Sequence, residues 1–366
     1  MTQTAIPFLF MRGGTSRGPY MNRADLPEDR DALAQVLIAM LGSGHPLNID
    51  GIGGGAAVTT KVAMLSRSED DWADIDYFFA QVSVEEQLVD FRPTCGNILV
   101  GVGPAAIEMG LMRATGDVTE VRIRAVNTGA RVIARVRTGP EGVIYDGETR
   151  IDGVPGTAAP IELSFMDVAG GATGAMFPTG NRQDVIDGVA VTCMDVAMPM
   201  MIARASDFGI TGTETAAELD ANRALYEKME TIRLKAGALM GMGDVTKSVT
   251  PKIGLVAAPV DGGTALTRYF MPWNCHPSLA VTGSQCLAAC LLCPGTVAEG
   301  IVPPPNTASV RMYLEHPMGK LEVLMDTRND GTTFGVVSAG LTRTARKLAA
   351  GEVFVPRSAW AGPEKA

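Results

Sequence analysis

Long apolar runs are missing from this sequence. No stretch approaches the roughly 18 residues that a membrane span needs, so no membrane partner is expected. The apolar patch from Ile6 to Met11 is too short for a signal h-region, and no cleavage motif follows it. Runs of Lys and Arg are missing too, and with 31 basic against 40 acidic residues the net charge is −9. Binding to a nucleic-acid backbone rests on neutralising many phosphates, and this composition argues against it. Aromatic residues are scarce at 5%, and His occupies only 3 positions. Cysteine occurs 6 times without the spacing of a disulfide framework, four of them (Cys275, Cys286, Cys290, Cys293) crowding one segment. Free thiols and a cytoplasmic location are the expectation.

What is present fits a globular enzyme: 46% hydrophobic and 19% charged residues, with 42 Gly and 22 Pro that imply many turns and short strands. A chain of 366 residues exceeds what one core usually organises. The chain also repeats itself. Phe10-Met11 and Arg23-Ala24-Asp25 recur as Cys193-Met194 and Ala205-Ser206-Asp207, and Lys61-Val62-Ala63 as Lys252-Ile253-Gly254. Cys95-Gly96-Asn97 recurs as Thr282-Gly283-Ser284, and Val121-Arg122-Ile123 as Val310-Arg311-Met312. The separations run only from 182 (Arg23 to Ala205) to 191 (Lys61 to Lys252), and one steady offset over collinear pairs indicates two homologous halves.

Two apolar helices are expected at equivalent places. Ile98 to Met112 has Glu108 as its one charge, and Gln285 to Val297 has none, so each helix must be enclosed on all sides. The expected fold is α+β: two pseudo-symmetric domains, each a curved, barrel-like β-sheet around a central buried helix. The boundaries expected are 1–180, joined by the C-terminal segment 345–366, and 181–344.

Cys95 is expected at or just before the first of these helices. Unsatisfied N–H groups there stabilise a thiolate, and those of Gly96 and Asn97 can hold a carboxylate beside the sulfur. A small buried Cys at a core helix end remains the alternative. Thr282, Gly283 and Ser284 build a second anion-binding helix end. Lys61 opens an apolar strand, where burial favours a neutral amine able to carry a proton, although a strand-end Lys also reaches solvent readily. Arg12, Thr15 and Ser16, in a Gly-rich turn, offer a guanidinium and hydroxyls to another carboxylate; the turn is equally a tight hairpin. His276 reads as a polar donor near the second helix end, and Lys252 and Arg268 complete the substrate-binding set.

Three motifs are set aside. Gly51-Ile52-Gly53-Gly54-Gly55-Ala56 has no buried strand before it, as a dinucleotide site requires. Cys286, Cys290 and Cys293 share one helix face and lack the loop that wraps an iron–sulfur cluster. Cys275-His276 with Cys286 lacks further ligands at zinc spacing.

The sequence resembles the 4-oxalomesaconate tautomerases, in the family of 2-methylaconitate and methylitaconate isomerases with the diaminopimelate epimerase-like fold. The resemblance rests on Phe10-Met11-Arg12-Gly13-Gly14-Thr15-Ser16, Ile49-Asp50-Gly51-Ile52-Gly53-Gly54, Lys61-Val62-Ala63, Cys95-Gly96-Asn97-Ile98-Leu99 and Ile151-Asp152-Gly153-Val154-Pro155-Gly156. It continues through Phe177-Pro178-Thr179-Gly180-Asn181, Gly243-Asp244-Val245, Pro251-Lys252 and Cys275-His276-Pro277-Ser278. It implies Cys95 and Lys61 as a proton-transfer pair, unsaturated di- or tricarboxylate substrates, and no metal or organic cofactor. Epimerases of the same fold have a second catalytic thiol where this chain has Thr282, which points from epimerisation to tautomerisation. A further departure is Met198-Pro199, where many relatives have Asn-Pro. The expected enzyme interconverts keto and enol forms of 4-oxalomesaconate, in the degradation of gallate-type aromatic acids. The rivals are a 1,3-allylic isomerase on a related acid and a non-catalytic accessory protein; a homo-oligomer is left open.

Overall fold

A computed structural model of the chain describes residues 2–330 and 333–362. The last four residues of the C-terminal segment assigned to the first half, 363–366, lie outside the described residues. The chain divides into two compact units, Met1–Ser164 with Thr342–Ala366, and Phe165–Leu341. The first division falls before the sequence break at 180/181 because residues 165–180 pair with the second unit. Ala169 bridges to Val196, and the Asp195 carboxylate accepts from the N–H groups of Ala172 and Thr173.

The first unit comprises β1 (Gln3–Gly13), β2 (Ser16–Asn22), α1 (Arg30–Leu41), β3 (Lys61–Arg67), β4 (Ile75–Val82) and β5 (Val89–Asp90). There follow α2 (Gly96–Leu99), α3 (Val102–Glu108), β6 (Val118–Ala125), β7 (Ala130–Gly139), β8 (Gly142–Val143) and β9 (Ile161–Met166), the last crossing into the second unit. The second unit continues with β10 (Asp184–Ile186), β11 (Val189–Val196), β12 (Met198–Arg204), α4 (Ala216–Ala221), α5 (Arg223–Leu239), β13 (Lys252–Ala257) and β14 (Ala265–Phe270). It closes with α6 (Val281–Leu292), β15 (Ser309–His316), β16 (Gly319–Asn329) and β17 (Phe334–Arg343), after which β18 (Ala345–Pro356) belongs to the first unit.

Strand pairing is the same in both units. β1 and β2 are antiparallel, β2 and β3 parallel, β3 and β4 antiparallel, β4 and β6 parallel, β6 and β7 antiparallel. β11, β12, β13, β14, β15 and β16 repeat that alternation in order. The recurring sequence segments occupy equivalent places: Lys61 and Lys252 open β3 and β13, and Val121 and Val310 lie in β6 and β15.

Each sheet has an inner helix and an outer one. α6 alone touches β11, β12, β13, β15 and β16. In a flat sheet β11 and β16 would stand roughly 24 Å apart at about 4.8 Å per strand, too far for one helix to touch both, so the sheet curves around it. All residues from Gly283 to Leu292 are buried, as an apolar helix without a polar face requires. Its counterpart is α2 with α3, which touch β1, β2, β3, β7 and β8. This helix does not run unbroken from Ile98 to Met112 as expected. Pro104 lacks an N–H, and its ring displaces the carbonyl four residues back; the turn at Val100–Gly101 tightens to i→i+3 bonds onto Asn97 and Ile98. Helix α3 ends at Glu108, before Gly110 in the left-handed region. On the outer faces, α1 packs Leu33, Val36, Leu37 and Met40 on Val62, Met64, Ala80, Val353 and Val355, while α5 packs Met229, Ile232 and Ala236 on Met201, Ile253 and Leu255. The architecture is the α+β arrangement expected, a sheet wrapped round a buried helix, twice.

Candidate active site

Cys95 is the N-cap of α2, in extended conformation (φ −133°, ψ 110°), and its side chain makes no capping hydrogen bond. The first helical hydrogen bond runs from Leu99 N to Cys95 O, 2.9 Å, so the N–H groups of Gly96, Asn97 and Ile98 lie ahead of it. Cys95 is half-buried, whereas the other five thiols are buried. Two buried tyrosines fix this helix start. Tyr77 on β4 donates to Cys95 O at 3.3 Å, and Tyr20 on β2 donates to Ile98 O at 2.5 Å. Burial, and next the adjacent Cys95 thiol, hold both phenols well above the usual tyrosine range, so both remain hydrogen-bond donors.

The turn from Gly13 to Ser16 is seated directly on the helix start. Asn97 Oδ1 accepts from Thr15 N at 3.3 Å and its Nδ2 donates to Thr15 Oγ1 at 3.0 Å. Gly14 sits at φ +52°, where a Cβ would overlap the Asn97 side chain, which explains the glycine. The Asn97 side chain therefore holds the turn, and its backbone N–H precedes the first helical bond.

Lys61 opens β3 on the sheet face that carries Tyr77 and Phe79, since it stands opposite Gln81 on β4, two and four residues from those rings. Its Nζ donates to Gln81 Oε1 at 2.7 Å and lies 5.4 Å from the Phe79 ring centroid. Gln81 is itself pinned, its Nε2 donating to the carbonyls of Ala57, Thr60 and Val82. That fixes which amide atom faces the lysine. Thus Cys95 and Lys61 belong to one face of the first unit, flanking the Tyr77–Phe79 pair, whose centroids are 6.3 Å apart. Sequence reasoning missed Gln81; its signal was the alternation of Tyr77, Phe79 and Gln81 along one strand.

Arg12 is placed elsewhere. A Cβ on the neighbouring Gly13 would overlap Asn97 O, so Gly13 faces α2 and Arg12 faces the opposite side of β1. There it lies across from Arg17 and Arg346, and its Nη1 donates to the carbonyls of Gly14 and Thr344 at 2.9 and 2.8 Å. Burial first, and then Arg346, lower its pKa. Its visible work is to tie the turn to the start of β18.

In the second unit the N-cap of α6 is Ala280, two residues before Thr282, and no side chain caps it. Thr282 is exposed in the first turn, and the N–H groups of Thr282 and Gly283 precede the first helical bond, Ser284 N to Ala280 O. Ser284 does not serve as expected: its N–H is in that bond, and its Oγ, 1% exposed, donates back to Val281 O at 2.7 Å. Lys252 shares the α6 side of β13 with Gly254, and burial first, then Arg233, lowers its pKa. Arg268 is a second correction. It stands opposite Leu255 in the outer core, and its Nε and Nη1 donate to the carbonyls of Glu214 and Thr267. Burial, the largest effect on it, lowers its pKa. His276 lies edge-on to Tyr269, ring centroids 5.9 Å apart, and Cys286, Cys290 and Cys293 are buried in the α6 core. Among the described residues no group of three or more His, Cys, Asp or Glu side chains could hold a metal ion, and no helix is long and apolar enough to cross a membrane.

A half-buried thiol at an uncapped helix start and an amine beside Phe79 are both groups of the kind that carry protons. The chain belongs to the PrpF family, whose model, described as PrpF protein, matches residues 3–356. It is 46% identical over 366 residues, the whole of both chains, to a 4-oxalomesaconate tautomerase of Pseudomonas putida. It is 47% identical over 349 residues, 95% of this chain and 97% of the relative, to a (4E)-oxalomesaconate Delta-isomerase of a Novosphingobium species. A crystal structure of methylitaconate-delta-isomerase superposes with TM-score 0.88 at 32% identity, covering 100% of this chain and 99% of that one. With full-length relatives named as isomerases and tautomerases, the chain is an enzyme of that class.

Proposed function

We propose that the chain interconverts the keto and enol forms of 4-oxalomesaconate, with Cys95 and Lys61 as the proton-transfer pair. The observation that carries this reading is the half-buried Cys95 thiol at an uncapped helix start, beside N–H groups with no helical partner. One of the two groups takes the proton from the carbon next to the oxo group, and a proton is returned to the oxygen. The substrate loses a C–H and gains an O–H, the C–H electron pair becomes a C=C bond to the former oxo carbon as the C=O double bond becomes a single bond, and the composition is unchanged.

The N–H groups of Gly96 and Asn97, with Thr15 and Ser16, would hold a carboxylate and stabilise the enolate as charge develops. Lys252, His276 and the N–H groups of Thr282 and Gly283 form a second donor set suited to a carboxylate. Each acid or base step contributes about 10²- to 10⁴-fold. Support for the substrate comes from the Pseudomonas putida relative named for it.

In deuterated water, the wild type should exchange the acidic carbon-bound proton of 4-oxalomesaconate. Cys95→Ser and Lys61→Met should each lose at least about 10²-fold of that rate while melting like the wild type. Exchange at the wild-type rate in Cys95→Ser would remove the thiol from the reaction. A second reading, 1,3-allylic isomerisation, is favoured by the Novosphingobium relative named a Delta-isomerase. The position of the double bond in the product, read by NMR, separates the two.

A further inference from the structure

The hydrogen-bond partner of Lys61 is a neutral amide whose orientation is fixed. Lys61 and Gln81 stand opposite each other on β3 and β4, and the lysine Nζ donates to Gln81 Oε1 at 2.7 Å. Gln81 Nε2 donates to the carbonyls of Ala57, Thr60 and Val82 at 3.1, 3.2 and 3.2 Å. Turning the amide round would set Oε1 against those three oxygens, so the acceptor end always faces the amine. The carbonyls are themselves held in place. Val82 N donates to Thr60 O at 3.0 Å, and Thr60 Oγ1, fully buried, donates to Val82 O at 2.7 Å.

Gln81 is also the middle of a row across three strands. On its other side it stands opposite Asp90 of β5, so Lys61, Gln81 and Asp90 share one sheet face. Asp90 is taken by Arg92, whose Nε and Nη2 donate to its two oxygens at 2.9 and 3.0 Å. These bonds, and next the Arg92 backbone N–H, keep the Asp90 carboxyl below its usual range, so it is a carboxylate at neutral pH. The amide thus separates the amine from the acid of its own row. Contact with a carboxylate favours the charged form of a lysine, whereas an amide oxygen accepts from the amine whether it carries two protons or three. The other titratable groups on this side of the sheet are the Tyr20 and Tyr77 phenols, both hydrogen-bond donors, and the Cys95 thiol.

We infer that Gln81 is the positioning residue for Lys61: its pinned amide fixes where the amine sits and, being neutral, leaves the charge of that amine free to change. The inference rests on the reading of Lys61 as a proton carrier. It adds to that reading the residue that aims the lysine and the reason an amide stands there. Only an amide both donates to the carbonyls of Ala57, Thr60 and Val82 and accepts from the lysine without adding a charge. The effect of Gln81 on the reaction passes through the Lys61 amine.

The test uses the full-length protein and two readouts, turnover of 4-oxalomesaconate and the reactivity of the lysine itself. Gln81→Met should lower kcat by about tenfold or more, as loss of a hydrogen bond to a charged group does, and leave KM within about threefold of the wild type. In a Lys61→Met background the same change should slow the reaction no further, because the two residues act as one unit. Trace labelling with acetic anhydride over a series of pH values, followed by mass mapping of the Lys61 peptide, gives the pH at which the amine is half-reactive. Gln81→Met should bring that pH below the wild-type value by removing an acceptor, and Gln81→Glu should carry it above by adding a charge. A wild-type kcat in Gln81→Met, a further loss in the double variant, or one half-reactive pH in all three proteins would each overturn the inference. If Gln81→Met does not fold, Gln81→Glu decides alone, and a half-reactive pH equal to that of the wild type overturns it. Should the wild type exchange no proton, or Lys61→Met exchange as fast as the wild type, the proposed reaction fails, while a half-reactive pH that follows residue 81 upholds the control of Lys61 by Gln81.

Discussion

The six cysteines differ in what surrounds them, and the difference can be measured. Burial pushes Cys193 and Cys290 up to about 12 and Cys275 and Cys293 up to about 11, and Cys286 is also raised. Alkylation proceeds through the thiolate and needs access, so iodoacetamide at neutral pH should modify the half-buried Cys95 first and the five buried thiols far more slowly. Mass mapping of the labelled peptide checks this, and a fast second label on the α6 segment would contradict it. Gly14→Ala should cost about 1–3 kcal/mol in a denaturant titration, because the new methyl meets Asn97 and φ is positive. Cys95, Lys61 and the Gly-rich turn were legible in the sequence because residue type and a neighbouring helix or strand start suffice to mark them. Arg12 and Arg268 were not, because strand register decides which sheet face a side chain occupies, and one residue of shift reverses it. Ser284 was misread for a related reason: a helix that starts two residues earlier turns a first-turn donor into one already bonded.

Among the elements, the two buried helices were recognisable from their lack of charge, but not their ends, expected at Met112 and Val297 and found at Glu108 and Leu292. α6 stops at Leu292, with Cys293 already extended ahead of Pro294, which the preceding residue's restriction explains. The break between α2 and α3 is the consequence of Pro104, a residue the apolar pattern alone does not distinguish from its neighbours. Leu287 is fully buried at the centre of α6 and packs towards Gly254 on β13. Leu287→Ala should destabilise the protein by about 2–5 kcal/mol, as transfer and cavity costs add in a site that cannot collapse. A urea titration with an unchanged m-value checks it; a loss below about 1 kcal/mol would mean α6 is packed more loosely than its burial implies.

Across the whole chain, the duplication was legible because both halves keep the same element order with a nearly constant offset. The exact places where the units divide were not, since they depend on which sheet a loop pairs with. β18 completes the first unit by pairing along β1 from Gln3↔Pro356 to Gly13↔Ala345 and by adding Val353 and Val355 to the core under α1. A chain truncated after Leu341 should therefore lose the cooperative unfolding of that unit, visible in calorimetry as a missing or collapsed transition; an unaltered melting profile would show that β1 needs no such partner. The central claim, that a Cys95–Lys61 pair moves a proton on an oxo tricarboxylate, is tested most directly by proton NMR of 4-oxalomesaconate in deuterated water with wild-type protein and with Cys95→Ser. Exchange at the acidic carbon with the wild type, slowed at least about 10²-fold in a correctly folded Cys95→Ser, is the predicted result; equal exchange by both proteins, or none by the wild type, would contradict it.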